Sequence, residues 1–188
     1  MVALSAANQL PHLMTVAEFL DWETPDHSDR WELVDGIPRA MSPPSDRHAM
    51  IHAEASRLIG NHLAEHRPAC RVGVGGGLSP GEFNVRIPDL TVSCRPIGDG
   101  DRLLHEPVAV VEILSPSNMR DTWANIALYA TMPSVAEILV LHSTEMLGEL
   151  LRRNDTGGWP IEMIGPAGEV RLASIGFTAP LAAFYRTV

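Results

Sequence analysis

The stretch that decides the fold is VAVVEILSPS, residues 108 to 117. Val108, Ala109, Val110, Val111, Ile113 and Leu114 form an almost unbroken apolar run of strand length, which predicts a strand buried on both faces. Glu112 stands in the middle of it. An ionised carboxylate taken out of water costs several kcal/mol unless a cation or good hydrogen-bond donors meet it. The rest of the chain must therefore supply a partner for Glu112.

Working outward, Asp89 in NVRIPDLTV lies in the preceding extended segment, and the loop between the two is long enough to return the chain antiparallel. If the strands are neighbours, Asp89 and Glu112 approach one point. Two carboxylates that close repel unless a divalent cation lies between them. Oxygen ligands suit hard cations, so Mg²⁺ or Mn²⁺ is the expected metal, held by Asp89 and Glu112. The alternative is structural: Asp89 begins a strand and Glu112 pairs with an arginine such as Arg86 or Arg120. Residue types and spacing leave both open.

The flanking segments suggest the architecture. TVAEFLDWE, from Thr15, reads as a short helix with a Thr15/Glu18 capping box, ending before Pro25. Asp35-Gly36 within RWELVDGIPRAMS is a strong two-residue hairpin signal. From Ser45 to about His66, Met50, Ile51, Ala55, Leu58, Ile59 and Leu63 recur at helical spacing, predicting the longest helix with Ser45 or Asp46 as its cap. Gly75-Gly76-Gly77 is followed by neither Lys-Ser nor Lys-Thr, so a strand end or bulge is preferred over a phosphate loop. A turn is expected at Pro80-Gly81, with NVRIPDLTV as a single extended segment. Ser115 or Ser117 is expected to cap a helix running through Thr131. EILVLHS follows as a buried strand, then a meander through MLGELLRR, GWPIEMIG and EVRLASI, and a terminal helical turn in PLAAFYRTV. The pattern predicts an α/β fold: a mixed β-sheet flanked by helices, with an N-terminal helix and hairpin and a C-terminal meander. Residues 1–12 read as a flexible arm and 13–188 as one domain.

Composition narrows the class. The 188 residues are 45% hydrophobic and 20% charged, ordinary for a globular protein. No apolar run approaches the roughly 18 residues of a membrane span. The N-terminus has no signal-peptide pattern, so a cytoplasmic location is expected. Cys70 and Cys94 are then expected to be free thiols. A net charge of −9 argues against diffuse adhesion to nucleic acid, though not against a local basic groove. All 14 basic residues are arginine.

The order of motifs MTVAEFLD, WELVDG, MSPPSDRH, NVRIPDLTV, VVEILSPS and VAEILVLHS resembles that of the Uma-two (Uma2) family, over about Leu13 to Tyr185. This large bacterial family is described as restriction endonucleases and has the PD-(D/E)XK nuclease fold. The resemblance implies that Asp89, after Pro88, and Glu112 are the two acidic residues of the nuclease motif. Glu32 matches an upstream family glutamate that could hold a second metal through water or orient the nucleophile, and His48 matches a frequent histidine, a candidate phosphate contact. The implied activity is metal-dependent hydrolysis of nucleic acid, DNA in preference to RNA, leaving 5′-phosphates. One departure matters. The fold usually carries a lysine two residues after the glutamate, where this chain has Leu114, or on the next helix, where it has Asn125. Asn125 can orient a water by hydrogen bonding but carries no charge, and Arg120 carries charge but hardly deprotonates. Weak cleavage is therefore expected. The rival readings are a nuclease-fold protein that binds metal or nucleic acid without cutting, and a homodimeric interaction module built through the meander.

Overall fold

The computed structural model describes residues 12–24 and 30–188, so the expected N-terminal arm, apart from His12, lies outside the described residues. Short-range sequence signals are realised closely. Helix α1 (Val16–Asp21) opens on the capping box, in which Thr15 accepts from the Glu18 amide and the Glu18 carboxylate accepts from the Thr15 amide. Strands β1 (Trp31–Val34) and β2 (Ile37–Ala40) form a hairpin closed by Asp35 and Gly36 at φ 49° and 80°. Positive φ at both turn positions matches the right-handed twist of the strands, which is why Asp-Gly serves there. The long helix α2 (Asp46–His66) is capped by Ser45, whose hydroxyl accepts from the His48 amide.

The chain then passes twice between two sheets. Strand β3 (Arg71–Val74) belongs to the large sheet, and the glycine run, with Gly75 at φ 64°, carries the chain across to β4 (Leu78–Gly81) in the small one. Strand β5 (Asn84–Arg86) pairs with β4 and β1, and Ile87-Pro88-Asp89 carries the chain back to β6 (Leu90–Ser93). The expected single segment NVRIPDLTV is thus two strands in two sheets. Proline has no amide to give a ladder, so Pro88 suits the crossing and interrupts the strand. The turn expected at Pro80-Gly81 falls at Glu82-Phe83, because Gly81 is still paired, with Asn84.

Strand β7 (Pro107–Leu114) is the buried strand predicted. Helix α3 (Met119–Thr131) connects it to its parallel neighbour β8 (Glu137–His142), followed by antiparallel β9 (Gly148–Arg152) and β10 (Ile161–Ile164). The six-stranded order β10-β9-β8-β7-β6-β3 is mixed, as expected, and the four-stranded order is β2-β1-β5-β4. The C-terminal part divides: β9 and β10 extend the large sheet, whereas β11 (Glu169–Leu172) and β12 (Phe177–Pro180) form a separate hairpin before a 3₁₀ turn at Leu181–Tyr185. Asn118, not Ser115 or Ser117, occupies the cap of α3. Its side chain turns back to accept from the Ser115 amide and hydroxyl, stiffening the loop instead of capping the helix amides.

The large sheet separates two cores. Ala109, Val111 and Ile113 pack with Ile51, Ala55, Ile59 and Phe184, whereas Val110 and Leu114 pack with Ile126, Tyr129 and Leu78. Side chains alternate along a strand, so Glu112 faces α3 and not α2.

The free-thiol expectation is corrected. Arg71 pairs with Ser93 across β3 and β6, which sets Cys70 opposite Cys94, and the two form a disulfide. Nothing local to either cysteine announces this register. The cross-link closes a separation of 24 residues, and constraining the unfolded chain by such a loop contributes about 3 kcal/mol. Reduction should lower the melting temperature reversibly. Thiol titration of the unfolded, unreduced protein that finds both cysteines reactive would overturn the bridge.

Candidate functional site

Three carboxylates converge where the chain crosses from the small sheet to the large one. Glu32 on β1 accepts the Ile87 amide through Oε1 at 2.7 Å, and its Oε2 lies 3.8 Å from Arg86 Nη1. Asp89 accepts the Ile113 amide through Oδ2 at 2.7 Å. His48 Nε2 meets Asp89 Oδ1 at 2.8 Å, and His52 Nε2, one turn further along α2, donates to the Asp89 carbonyl at 3.0 Å. The register that pairs Leu90 with Val111 brings Asp89 level with Glu112.

Glu112 is 7% exposed, and its Oε1 is buried without a hydrogen-bond partner. No arginine meets it among the described residues, so the structural ion pair with Arg86 or Arg120 does not form. Burial above all, then the charges of Asp89 and Glu32, push the Glu112 carboxyl well above the usual carboxylate range. The Tyr129 hydroxyl and the Asp89 amide act the other way without reversing it. The Tyr129 hydroxyl itself closes no hydrogen bond, and burial and the neighbouring Glu112 push it well up. Glu32 is also raised, by burial, against the opposing pull of the Ile87 amide and Arg86.

A second buried strand glutamate gives the contrast. Glu137, 1% exposed on β8, accepts from Arg152 Nε, the Ala173 and Ser174 amides and the Ser174 hydroxyl. Burial alone would raise it, but the Ser174 and Arg152 bonds prevail and hold it below the usual range. Glu137 is a satisfied structural carboxylate. Glu112 is not.

All six residues singled out in the sequence, Glu32, His48, Asp89, Glu112, Arg120 and Asn125, line one cleft of about 1350 Å³. Asn125 is half-buried on α3, and Arg120 is exposed in its first turn. Arg30, Arg39, Arg47 and Arg86 line the same cleft, and with Arg120 they balance the carboxylates of Glu32, Asp35, Asp89, Glu112 and Asp121 there, in a chain that is acidic as a whole. A smaller cavity of about 260 Å³ beside Arg71 and Leu104 contains no unpartnered buried polar atom. Among the described residues no three His, Cys, Asp or Glu side chains form a ready-made metal cage. Asp89 and Glu112 are a pair, which suits a cation that keeps several waters and takes one or two carboxylates.

Sequence reasoning missed three members of this site. His52 had a readable signal, its four-residue spacing from His48. Arg86 had been considered only as a partner for Glu112, although an arginine in an apolar-flanked strand poses the same burial problem as the glutamate. Tyr129, spaced three residues from Ile126 on α3, carries no signal that separates it from an apolar core position. The buried side-chain polar atoms without a partner among the described residues are Arg86 Nε, Glu112 Oε1 and the Tyr129 hydroxyl, and the charges of Glu112, Glu32 and Arg86 all act on that phenol. Native proteins leave few such atoms unsatisfied, and Arg86 and Glu112 line the cleft with Tyr129 behind them, which makes this the candidate site.

Known proteins agree with this reading of the fold. The crystal structure of a protein from Anabaena variabilis, described as "a putative nuclease belonging to DUF820", superposes with a TM-score of 0.74 over 92% of this chain and 98% of that one, at 18% identity. At that identity the likeness is one of fold. The uncharacterized protein slr1290 of Synechocystis is 30% identical over 198 residues, spanning 99% of this chain and 98% of the relative. The profile of the Uma2 family, described as "Putative restriction endonuclease", matches residues 16–182. This chain, with its mixed sheet flanked by helices, belongs to the Uma2 family.

Proposed function

We propose that this protein is a divalent-metal-dependent endonuclease acting on DNA in preference to RNA, with slow turnover. The observation that carries the reading is the buried, unpartnered Glu112 oxygen level with Asp89, in a cleft lined by arginines. The donor set fits the metal: two carboxylates, one with an unused buried oxygen, are hard ligands suited to Mg²⁺ or Mn²⁺. Asp89 and Glu112 would hold the cation. Once bound, it would polarise the phosphodiester and lower the pKa of a water.

The chain's own residues have separable tasks. His48 and the Ile113 amide fix the orientation of Asp89, so its carboxylate is set before any ligand arrives. Glu32 secures the crossing that carries Asp89. Asn125 orients a water through its amide. Arg120 and Arg39, exposed at the cleft and bonded to no described residue, draw phosphates toward it. A second reading, binding without cleavage, rests on one observation: with no lysine in the chain, the cations of the cleft are arginines, which hardly give up a proton.

Three outcomes test the proposal. Calorimetry should show Mn²⁺ binding to wild type and its loss in Asp89→Asn; equal binding by the two proteins would sink the metal assignment. General acid-base or charge assistance contributes about 10²- to 10⁴-fold, so Asn125→Lys should raise Mn²⁺-dependent cleavage of plasmid or single-stranded DNA by at least about tenfold. A folded Asn125→Lys variant that gains nothing would exclude that position as the one where the charge is missing.

The third outcome concerns pH. The folded-state pKa of Glu112 is raised, so the folded protein binds protons more readily than the unfolded chain. Metal-free stability therefore falls as pH rises from the unfolded value, about 4.3, through the higher folded one. Glu112→Gln should melt above metal-free wild type at pH 7, by on the order of 1 kcal/mol or roughly 2–4 °C, and should no longer be stabilised by Mn²⁺. Below about pH 4 the difference should vanish, because both side chains are then neutral. A strongly destabilised Glu112→Gln, beside a wild type indifferent to metal, would make Glu112 a structural residue and remove the reading's main support.

A further inference from the structure

Arg86 is the one buried arginine among the described residues, at 5% exposure, and it lies against the carboxylates of the cleft. Its guanidinium has five N–H donors but makes a single hydrogen bond, Nη2 to Asn84 Oδ1 at 3.0 Å. Its Nε–H has no acceptor, and Nη1 reaches Glu32 only at 3.8 Å. An arginine that serves structure looks different in this chain. Arg153 donates to the carbonyls of Val135, Ala130 and Met132, and Arg152 to Glu137 and the Arg171 carbonyl. Arg86 is thus a buried cation with most of its donors unused.

The cleft has a use for those donors. Glu32, Asp89 and Glu112 together repel a phosphodiester, and the attraction that overcomes this must act from within the same wall. Arg39 and Arg120 are exposed and screened by salt, whereas a buried charge keeps its strength. Arg86 is also held in place. Asn84 Oδ1, which accepts from it, accepts from the Asp35 amide at 3.0 Å, and Asn84 Nδ2 donates to Asp35 Oδ1 at 3.2 Å, so the rigid hairpin turn fixes the guanidinium. Such a donor needs no rearrangement when negative charge arrives.

Resting on the nuclease reading, we propose that Arg86 is the phosphate-receiving cation of this cleft, the unused N–H groups of its Nη atoms donating to the non-bridging oxygens of the bound phosphodiester while the buried Nε stays behind them. It transfers no proton, and its contribution is fixed positive charge and orientation.

The test measures binding apart from cleavage. Fluorescence anisotropy with a labelled oligonucleotide in Ca²⁺, over a salt series, should give a Kd about tenfold weaker for Arg86→Gln and a salt slope smaller by about one. Arg86→Lys, which keeps the charge, should recover part of the loss. The Mn²⁺ affinity of Arg86→Gln, measured by calorimetry, should be unchanged or tighter, because the metal loses a repelling neighbour. In wild type, where folding is not in question, the Arg86 Nε–H resonance should shift when dimethyl phosphate is titrated in. Oligonucleotide binding by Arg86→Gln equal to wild type in affinity and salt slope, or an unmoved Nε–H resonance, would overturn the proposal and leave the nuclease reading intact. Failure of wild type to bind any oligonucleotide would overturn both.

Discussion

The site depends on how the chain is held as it crosses from one sheet to the other at Ile87-Pro88-Asp89. Two short hydrogen bonds pin that crossing, each from a backbone amide to a carboxylate at 2.7 Å: Ile87 to Glu32 on one side and Ile113 to Asp89 on the other. Proline contributes no donor, so these bonds do the work that a continuous ladder would otherwise do. Charged acceptors make them stronger than neutral ones. Glu32 and Asp89 are therefore both acidic groups of the cleft and fastenings of the fold. Substitutions there will change stability as well as activity, and the two effects must be measured separately.

Glu112 has no such second task. It is carried into the interior by a strand whose alternate residues build two cores, and its Oε1 finds neither donor nor cation. A buried polar atom without a partner costs stability, and such atoms are concentrated at functional sites of proteins in general. Around it the protein has gathered charge of the opposite sign. Five arginines line the cleft of a chain whose net charge is −9. Arginines and carboxylates are balanced within the cleft, whereas the rest of the chain is acidic, so the cleft is less repulsive to an anionic ligand than the remaining surface.

What was legible in the sequence was what a few neighbouring residues control. The Thr15/Glu18 capping box, the Asp35-Gly36 turn and the cap at Ser45, one of the two positions expected, each rest on contacts within about four residues, and the buried strand was legible from its own apolar run. The motif order gave the family, and the six candidate residues share one cleft. What was not legible depended on register or on a side chain's choice among partners. Asn118, and neither serine, stands at the head of α3, with its side chain bound back to Ser115. NVRIPDLTV has the composition of one strand, and it is divided because its two halves find different neighbours.

Two short matches within the chain state the division most plainly. Glu112 and Glu137 both begin the tripeptide EIL, both lie in strands of the same sheet, and both are buried. From the chain alone each is a carboxylate in an apolar strand, and each needs a partner. The packing of distant segments gives Glu137 the donors of Arg152, Ala173 and Ser174 and leaves Glu112 facing Asp89 and an open cleft. The same holds for Cys70 and Cys94, two unremarkable positions until strand pairing sets them side by side. The reason is physical. Burial is a property of the segment and its pattern, but the partner of a buried group comes from elsewhere in the chain, and only long-range register brings it there.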